Sequence, residues 1–186
     1  FPTRRSSDLP TGTLRINAPR ESVSLLFNLF DTYLQRYPQM RLDITTESRM
    51  IDIVAEGYDA GIRLAESVPQ DMIASALTPD ARMVIVGSPD YFARHGIPQT
   101  PDSLADHHSI GMRMSHGGVY HWELERHQHK FTVNVPPRMI VSEMQVIHRA
   151  ALAGLGLAFI SEWFIQDDLA NGKLISVLDE WCPVFG

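Results

Sequence analysis

Histidine is the residue type in this chain most suggestive of metal chemistry. Six of the eight histidines fall within one short stretch: His107, His108, His116, His121, His127 and His129. If this stretch includes a strand, His127 and His129 would share one face of it, and two imidazoles on one face can hold a metal ion. The neighbouring residues are polar and have the pattern of a hairpin, which is more typical of solvated histidines. We therefore expect no metal site.

The Gly-x-Gly of "AALAGLGLAF", residues 150–159, is a candidate phosphate loop. Such a loop requires a strand, then the glycines, then a helix whose N-terminal N–H groups face the anion. Here the segment before the glycines has helical spacing, and the segment after them has strand character. The order is reversed, so we expect Gly154 to end a helix in the left-handed conformation and Gly156 to permit close helix–strand packing.

Motifs of catalysis are missing from the sequence. It contains no Gly-x-Ser-x-Gly elbow, no Walker loop and no His-Glu-x-x-His. The serines and carboxylates are too scattered to nominate a catalytic triad. We expect no enzymatic activity, no catalytic residue and no cofactor.

Two predicted helix starts are more informative. Ser22 precedes apolar residues at helical spacing that continue to Tyr37, where Pro38 stops the helix. Ser142 and Gln145 have the spacing of a capping box. If the two helix starts face each other, their unpaired N–H groups could hold a small polar or carboxylate ligand. Considered alone, the alternative that each serine only caps its own helix is favoured.

The elements that carry these helix starts alternate between strand and helix patterns. The first are "TLRINA", the helix over 23–37, "RLDITT", a short helix in "RMIDIVAEG", and "YDAGIRLA". This order is typical of a parallel sheet with crossover helices, in which ligands bind beyond the carboxyl ends of the strands. The later elements include strands in "MIASALTP", "ARMVIVGS", "SIGMRM", "LGLAFIS" and "KLISVL", a hairpin over 119–135, and helices in "PDYFARHG", "TPDSLADH", "SEMQVIHRAALAGLG" and "EWFIQDDLA".

Composition restricts the possible partners and location. The 186 residues suffice for one core or two small lobes, and the net charge of −6 argues against unaided DNA binding. Cys182 is the only cysteine, which excludes an internal disulfide. The sequence shows neither an apolar run long enough to predict membrane insertion nor a leader that would predict secretion. We therefore expect a cytoplasmic protein. Residues 1–11, with "FPTRRSSDLP", fit no element and are predicted to be disordered or foreign.

Seven segments of the chain resemble, in their order and spacing, the segments of a known protein family. They are "TGTLRINAP", "YLQRYPQMRLDITT", "IDIVAEGYDAGIRLAE", "VGSPDYFARHGIPQTPDSLADH", "AALAGLGLAFIS" and "DLANGKLISVL", with the amphipathic helix between the first two. From about Gly12 to about Leu178 the chain resembles the effector-binding (substrate-binding) domain of LysR-type transcriptional regulators. "DAGIR" matches the subgroup with Asp-x-x-Ile-Arg in its third strand.

The resemblance implies an α/β fold that is type-2 periplasmic-binding-protein-like, with two α/β lobes joined by two crossover strands. Lobe I would comprise residues 12–76 and 161–186, and lobe II residues 77–160. The crossovers would lie near "MVIVGS" and "GLAFIS". An effector would bind in the cleft between the lobes.

The resemblance also implies a set of effector-binding positions. In lobe I these are Pro19, Arg20, Glu21, Ser22, Thr46, Glu47, Arg63 and Ala65; in lobe II they are Arg113, Ser142, Glu143 and Met144. Arg20 and Met144 depart from the family pattern and would narrow the cleft and change its polarity. Arg63 could instead fix the end of its strand through a carboxylate.

Partners follow from the same resemblance. The effector would be a small molecule, with a carboxylate as one candidate, and the chain would form a homodimer or homotetramer. Leu25 and Leu29 lie off the buried stripe of the first helix and could contact a partner subunit, or could be peripheral core. Promoter DNA would be bound only by a winged helix-turn-helix domain that would precede Gly12. The alternative is the solute-binding protein of a transporter, which has the same fold.

Overall fold

The computed structural model describes residues 9–46, 51–63, 68, 72–78, 80–114 and 116–185. The chain divides into two compact units, Phe1–Ser75 (unit 1) and Ala76–Gly186 (unit 2). Two of the predicted site residues, Glu47 and Ala65, lie outside the described residues, as do residues 1–8. The predicted lobe boundaries stay a prediction.

Unit 1 is a small parallel sheet with helices on one face. Its elements are β1 (Gly12–Ala18), α1 (Arg20–Leu25), α2 (Phe27–Arg36), β2 (Met40–Thr46) and β3 (Ala60–Gly61). The strand order is β2-β1-β3, and both pairings are parallel. The core consists of Ile16 and Ala18 from β1 with Leu26 and Phe30 from the helices, as the alternation of β1 and the helical stripe predict.

Unit 2 contains the remaining elements. They are β4 (Ala81–Gly87), α3 (Pro89–His95), a 3-10 helix (Pro101–Asp106), β5 (Ser109–Met112), β6 (Trp122–Arg126), β7 (His129–Val133), β8 (Pro137–Val141), α4 (Met144–Leu152), β9 (Ala158–Ser161), a 3-10 helix (Glu162–Ile165), α5 (Gln166–Ala170), β10 (Ile175–Val177), a 3-10 helix (Asp179–Trp181) and β11 (Val184–Phe185). β4 pairs antiparallel with β9, β10 and β11; β5 pairs parallel with β8; β6 and β7 form the predicted hairpin.

The apolar run of β4 is buried on both faces. Val84 and Val86 belong to one core cluster together with α4, whereas Ile85 belongs to a second cluster with Tyr91 and Trp122. Because successive side chains point to opposite faces of a strand, a strand between two cores needs a continuous apolar run. This accounts for "VIV" in β4.

The cores also enclose a polar contact. Tyr91 and His107 are 1% and 6% exposed, and the Tyr91 hydroxyl lies 3.1 Å from Nδ1 of His107. The same hydroxyl accepts a hydrogen bond of 3.2 Å from the backbone N–H of His108. Burial, with the nearby His95, lowers the pKa of His107. The ring of His107 is therefore neutral at pH 7. In the tautomer that carries its hydrogen on Nε2, Nδ1 accepts a hydrogen bond from the Tyr91 hydroxyl.

The predicted serine caps are wrong. The N-caps of α1 and α4 are Pro19 and Glu143, and neither helix has a side-chain cap hydrogen bond. The carbonyl oxygen of Pro19 accepts from Val23 N–H, so α1 begins at Arg20 and Ser22 lies inside its first turn. The carbonyl oxygen of Glu143 accepts from Ile147 N–H, which leaves Ser142 outside α4.

Two other predicted elements are absent from the described residues. Residues 53–57 form turns instead of a helix. The carboxylate of Asp52 accepts from the N–H groups of Val54 and Ala55 as an N-cap does, but Gly57, with φ of 72°, ends the segment after a single turn. Residues 72–78 form no strand, and Ile73 there is fully exposed. The predicted first helix is also divided at Leu26 into α1 and α2.

The interpretation of the Gly-x-Gly is largely confirmed. Gly154 follows α4 with φ of 70°, and β9 comes next. Gly156 does permit a close approach, but the group that approaches it is the backbone of His108 and not a helix. A Cβ at Gly156 would lie 2.8 Å from the carbonyl oxygen of His108. Within the described ranges, no helix is long and apolar enough to cross a membrane.

Candidate functional site

The carboxyl ends of β1 and β2 bring part of the predicted site together in unit 1. Ala18 and Thr46 are register partners at the ends of these parallel strands. α1 begins two residues after Ala18, so Pro19, Arg20, Glu21 and Ser22 follow the same edge. This is the position at which ligands bind in open α/β sheets.

Arg63 is anchored next to this edge. Its Nη1 donates hydrogen bonds to the carbonyl oxygens of Asn17 and Ile62, at 3.2 and 2.7 Å, and its Nη2 donates to the side-chain oxygen of Asn17. The oxygens that accept from Arg63 among the described residues are thus amide and carbonyl oxygens. The guanidinium joins β1 to the segment after β3.

Asn17 is a polar residue that the sequence analysis missed. It is fully buried in β1, and its side-chain Nδ2 has no hydrogen-bond partner in the described structure. The available signal was an amide between two apolar residues, Ile16 and Ala18, of a predicted strand. A buried donor without an acceptor lowers the free energy of unfolding by about 1–3 kcal/mol. An acceptor on a ligand or a water molecule would offset this loss.

The second part of the predicted site lies in unit 2. Met112 and Val141 are register partners at the ends of the parallel strands β5 and β8. Arg113 N–H donates to the carbonyl oxygen of Val141 at 2.8 Å, so Arg113 lies beside Ser142 at the start of α4. The Arg113 guanidinium is exposed and donates one hydrogen bond of 2.7 Å to the carbonyl oxygen of Gly117.

The residues at the start of α4 differ in exposure. Ser142 is exposed, and Glu143 is half-buried with φ of −104° at the N-cap. Met144 is half-buried and packs against the core of unit 2. The edge therefore presents Arg113 and Ser142 to solvent, with Met144 as part of the support beneath α4.

α4 is held by a further contact that the sequence analysis missed. Nε2 of His148 lies 2.6 Å from a carboxylate oxygen of Asp168 in α5, and both side chains are largely buried. Lys173 Nζ lies 3.7 Å from the other oxygen of this carboxylate. Asp168 and His148 are 20 residues apart, so nothing in their spacing marks them as partners.

The histidine cluster does not form a metal site in the described part of the chain. His127 occupies the turn between β6 and β7 with φ of 50°, so it does not share a strand face with His129. No group of three or more potential ligand side chains comes together among the described residues.

The parallel strands and their helices define an α/β domain, and its polar residues lie at the carboxyl edges where domains of this class bind ligands. The structural neighbours are regulatory domains with the type-2 periplasmic-binding-protein-like fold, as the resemblance predicted. The model of the LysR substrate binding domain matches residues 7–185. This chain belongs to that family.

Individual relatives agree with this assignment. A Pseudomonas aeruginosa protein described as a transcriptional regulator is 38% identical to 96% of the chain, and the match spans 59% of that protein. The HTH-type transcriptional regulator PgrR of Escherichia coli is 33% identical over 94% of the chain and 59% of its own length. The structure of CrgA, a LysR-type regulator from Neisseria meningitidis, superposes with a TM-score of 0.80 at 26% identity, covering 97% of this chain and 63% of CrgA. The chain thus spans about 60% of the length of these relatives.

Proposed function

We propose that the chain is the effector-binding domain of a transcriptional regulator, and that its effector is a small carboxylate. The family match and the names of the relatives support a regulator over the solute-binding alternative. The observation that carries the ligand class is the position of Arg113 beside the start of α4.

Two features of that edge favour an anion. The nine residues of α4 place the positive end of a helix dipole at Met144. Arg113, joined to Val141 through its backbone, adds a guanidinium that can hydrogen-bond a carboxylate. Arg63 supplies a second guanidinium at the carboxyl edge of the unit 1 sheet, already oriented by Asn17. We propose that the predicted residues of both units take part in effector binding.

Regulation would follow from a shift in conformation. An effector that binds one conformation more tightly raises its population, and so changes how attached DNA-binding domains engage a promoter. We propose that the chain dimerises through α1 and α2. Leu25, Phe27 and Leu29 are 41%, 65% and 44% exposed there, which supports a partner contact for the two leucines.

Isothermal titration calorimetry with acetate, malate, benzoate and glutamate tests the carboxylate proposal. The Arg113→Gln variant should bind the best of these ligands ten- to a hundredfold more weakly, as expected for the loss of about 1.5–3 kcal/mol from a charge-assisted hydrogen bond. Arg149→Gln is the matched control, because Arg149 is exposed in the last turn of the same helix. The proposal fails if no carboxylate binds, or if both variants weaken binding equally.

A further inference from the structure

Unit 2 contains a small cavity between the β5–β8 pair and the β6–β7 hairpin. Its volume is about 190 Å³, and its apolar walls include Val119, Tyr120, Trp122, Val133 and Val135. None of the residues predicted for the effector site lines it.

The cavity lies on one face of β5. Ile110 belongs to the core beneath α4 and Met112 packs against it, so Ser109 and Gly111 point to the opposite face of the strand. Gly111 lets Val119 approach the strand closely, since a Cβ at Gly111 would lie 3.1 Å from Cγ1 of Val119. Trp122 is 4% exposed and its ring stacks on Phe159 with centroids 5.6 Å apart, so this wall is held by the core and does not collapse into the space.

The polar chemistry of the cavity differs from that of the effector edge. No Lys, Arg, Asp or Glu lines it, which disfavours a charged ligand. Its polar side chains are those of Ser109, His121 and Asn134, of which Ser109 is buried and the other two are exposed. Ser109 is 2% exposed, and its hydroxyl donates to the carbonyl oxygen of Val135 at 2.8 Å. Because its proton is engaged, the Ser109 oxygen can only accept a hydrogen bond from a ligand.

We propose that this cavity is a second ligand site, which takes a neutral, single-ring compound carrying one hydroxyl or N–H donor. The size agrees, since an apolar cavity of about 150 Å³ in a protein core binds benzene. The ring lies between the valines and the aromatic side chains, and its donor faces Ser109. The cavity lies wholly in unit 2, so the proposal is independent of whether a carboxylate binds Arg113.

Phenol is the probe, with toluene as the analogue without a donor and benzoate as the charged analogue. In a chain with labelled valine methyl groups, NMR titration with phenol should shift Val119, Val133 and Val135 saturably and leave Val84 and Val86 unchanged. For a ligand of this size we expect a dissociation constant of roughly 0.1–1 mM. Toluene should bind several-fold more weakly, and benzoate at least tenfold more weakly.

Filling the cavity provides the variant test. Val133→Phe should abolish the phenol-induced shifts at Val119 and Val135. Val184→Phe makes the same change at a position that is 60% exposed on β11, and should retain them. The proposal is overturned if phenol gives no saturable shift at the three lining valines, if benzoate binds as tightly, or if folded Val133→Phe still binds. Should Val133→Phe not fold, the titration of the unsubstituted chain decides.

Discussion

Replacing Tyr91 with phenylalanine tests the buried polar contact of unit 2. The change removes one oxygen and leaves the ring, which is 1% exposed, in place. It takes away the donor to His107 Nδ1 and the acceptor for His108 N–H. Each hydrogen bond contributes about 1 kcal/mol, and a buried group left unpaired adds about 1–3 kcal/mol. Because Nδ1 of the buried His107 ring loses its partner, we expect a loss of roughly 2–3 kcal/mol in the free energy of unfolding.

Acidification should weaken the same contact. Burial lowers the pKa of His107 below its ordinary value of 6.5. At a pH between the lowered pKa of the folded chain and the ordinary pKa of the unfolded chain, the unfolded chain binds a proton that the folded chain does not. The contribution of His107 to the free energy of unfolding is therefore complete above pH 6.5 and decreases below it. The slope is at most about 1.4 kcal/mol per pH unit. Asp106 opposes this shift, whereas His95 and His108 increase it.

Guanidinium unfolding followed by tryptophan fluorescence measures both effects. All three tryptophans, Trp122, Trp163 and Trp181, belong to unit 2, so the signal reports on that unit. Measurements between pH 5.5 and 8 avoid most carboxylate titration. Tyr33→Phe in unit 1 is the control and should change this transition by less than about 0.5 kcal/mol. The reasoning is refuted if Tyr91→Phe costs less than about 0.5 kcal/mol, or if stability stays level or rises as the pH falls to 5.5.

Three further predictions concern single positions of the fold. Gln128 has φ of 65° in the two-residue turn of the hairpin, so Gln128→Gly should raise stability by about 0.5–1 kcal/mol in the same unfolding assay. Gly156→Ala should lower the stability by about 2–3 kcal/mol, because the new Cβ would lie 2.8 Å from the carbonyl oxygen of His108. Gly172 has open space around it, so Gly172→Ala should cost only about 1 kcal/mol, the cost of placing alanine in a left-handed backbone conformation. Burial raises the pKa of Cys182 from 9.0 to about 11, so alkylation by iodoacetamide at pH 8 should be about a hundredfold slower than for a thiol at the ordinary pKa, as followed by mass spectrometry.

Periodicity predicted the fold where one physical effect dominated. The alternation in "TLRINA" and the uninterrupted apolar run in "MVIVGS" each required a particular burial, and both are strands. The helix expected in "RMIDIVAEG" does not form in its described part, because the segment that Asp52 caps is ended by Gly57 after a single turn, which is too short for a stable helix. Apolar spacing alone does not show where such a segment begins.

Helix boundaries and the site were less predictable, for a related reason. Serine is a favoured N-cap residue, which is why Ser22 and Ser142 were predicted as caps. The first helical hydrogen bonds are instead accepted by the carbonyl oxygens of Pro19 and Glu143. The link between Asn17 and Arg63 joins residues 46 apart and depends on β1 lying next to β3, so only the folded sheet reveals it. The roles of the twelve proposed site residues in effector binding stay a prediction.

The distribution of the core gives a physical reason for coupling an effector to unit 1. The fully buried hydrophobic cluster described in unit 1 has four members, whereas the two clusters of unit 2 have ten each. Among the described residues, unit 1 thus has few buried apolar side chains, and Nδ2 of buried Asn17 has no hydrogen-bond partner there. A ligand that binds only the folded form stabilises it by RT ln(1 + [L]/Kd), which is about 2.7 kcal/mol at a hundredfold excess over Kd. On the proposed function, effector contacts at the carboxyl edge of β1 and β2 would stabilise the folded form of unit 1 by an amount of this order.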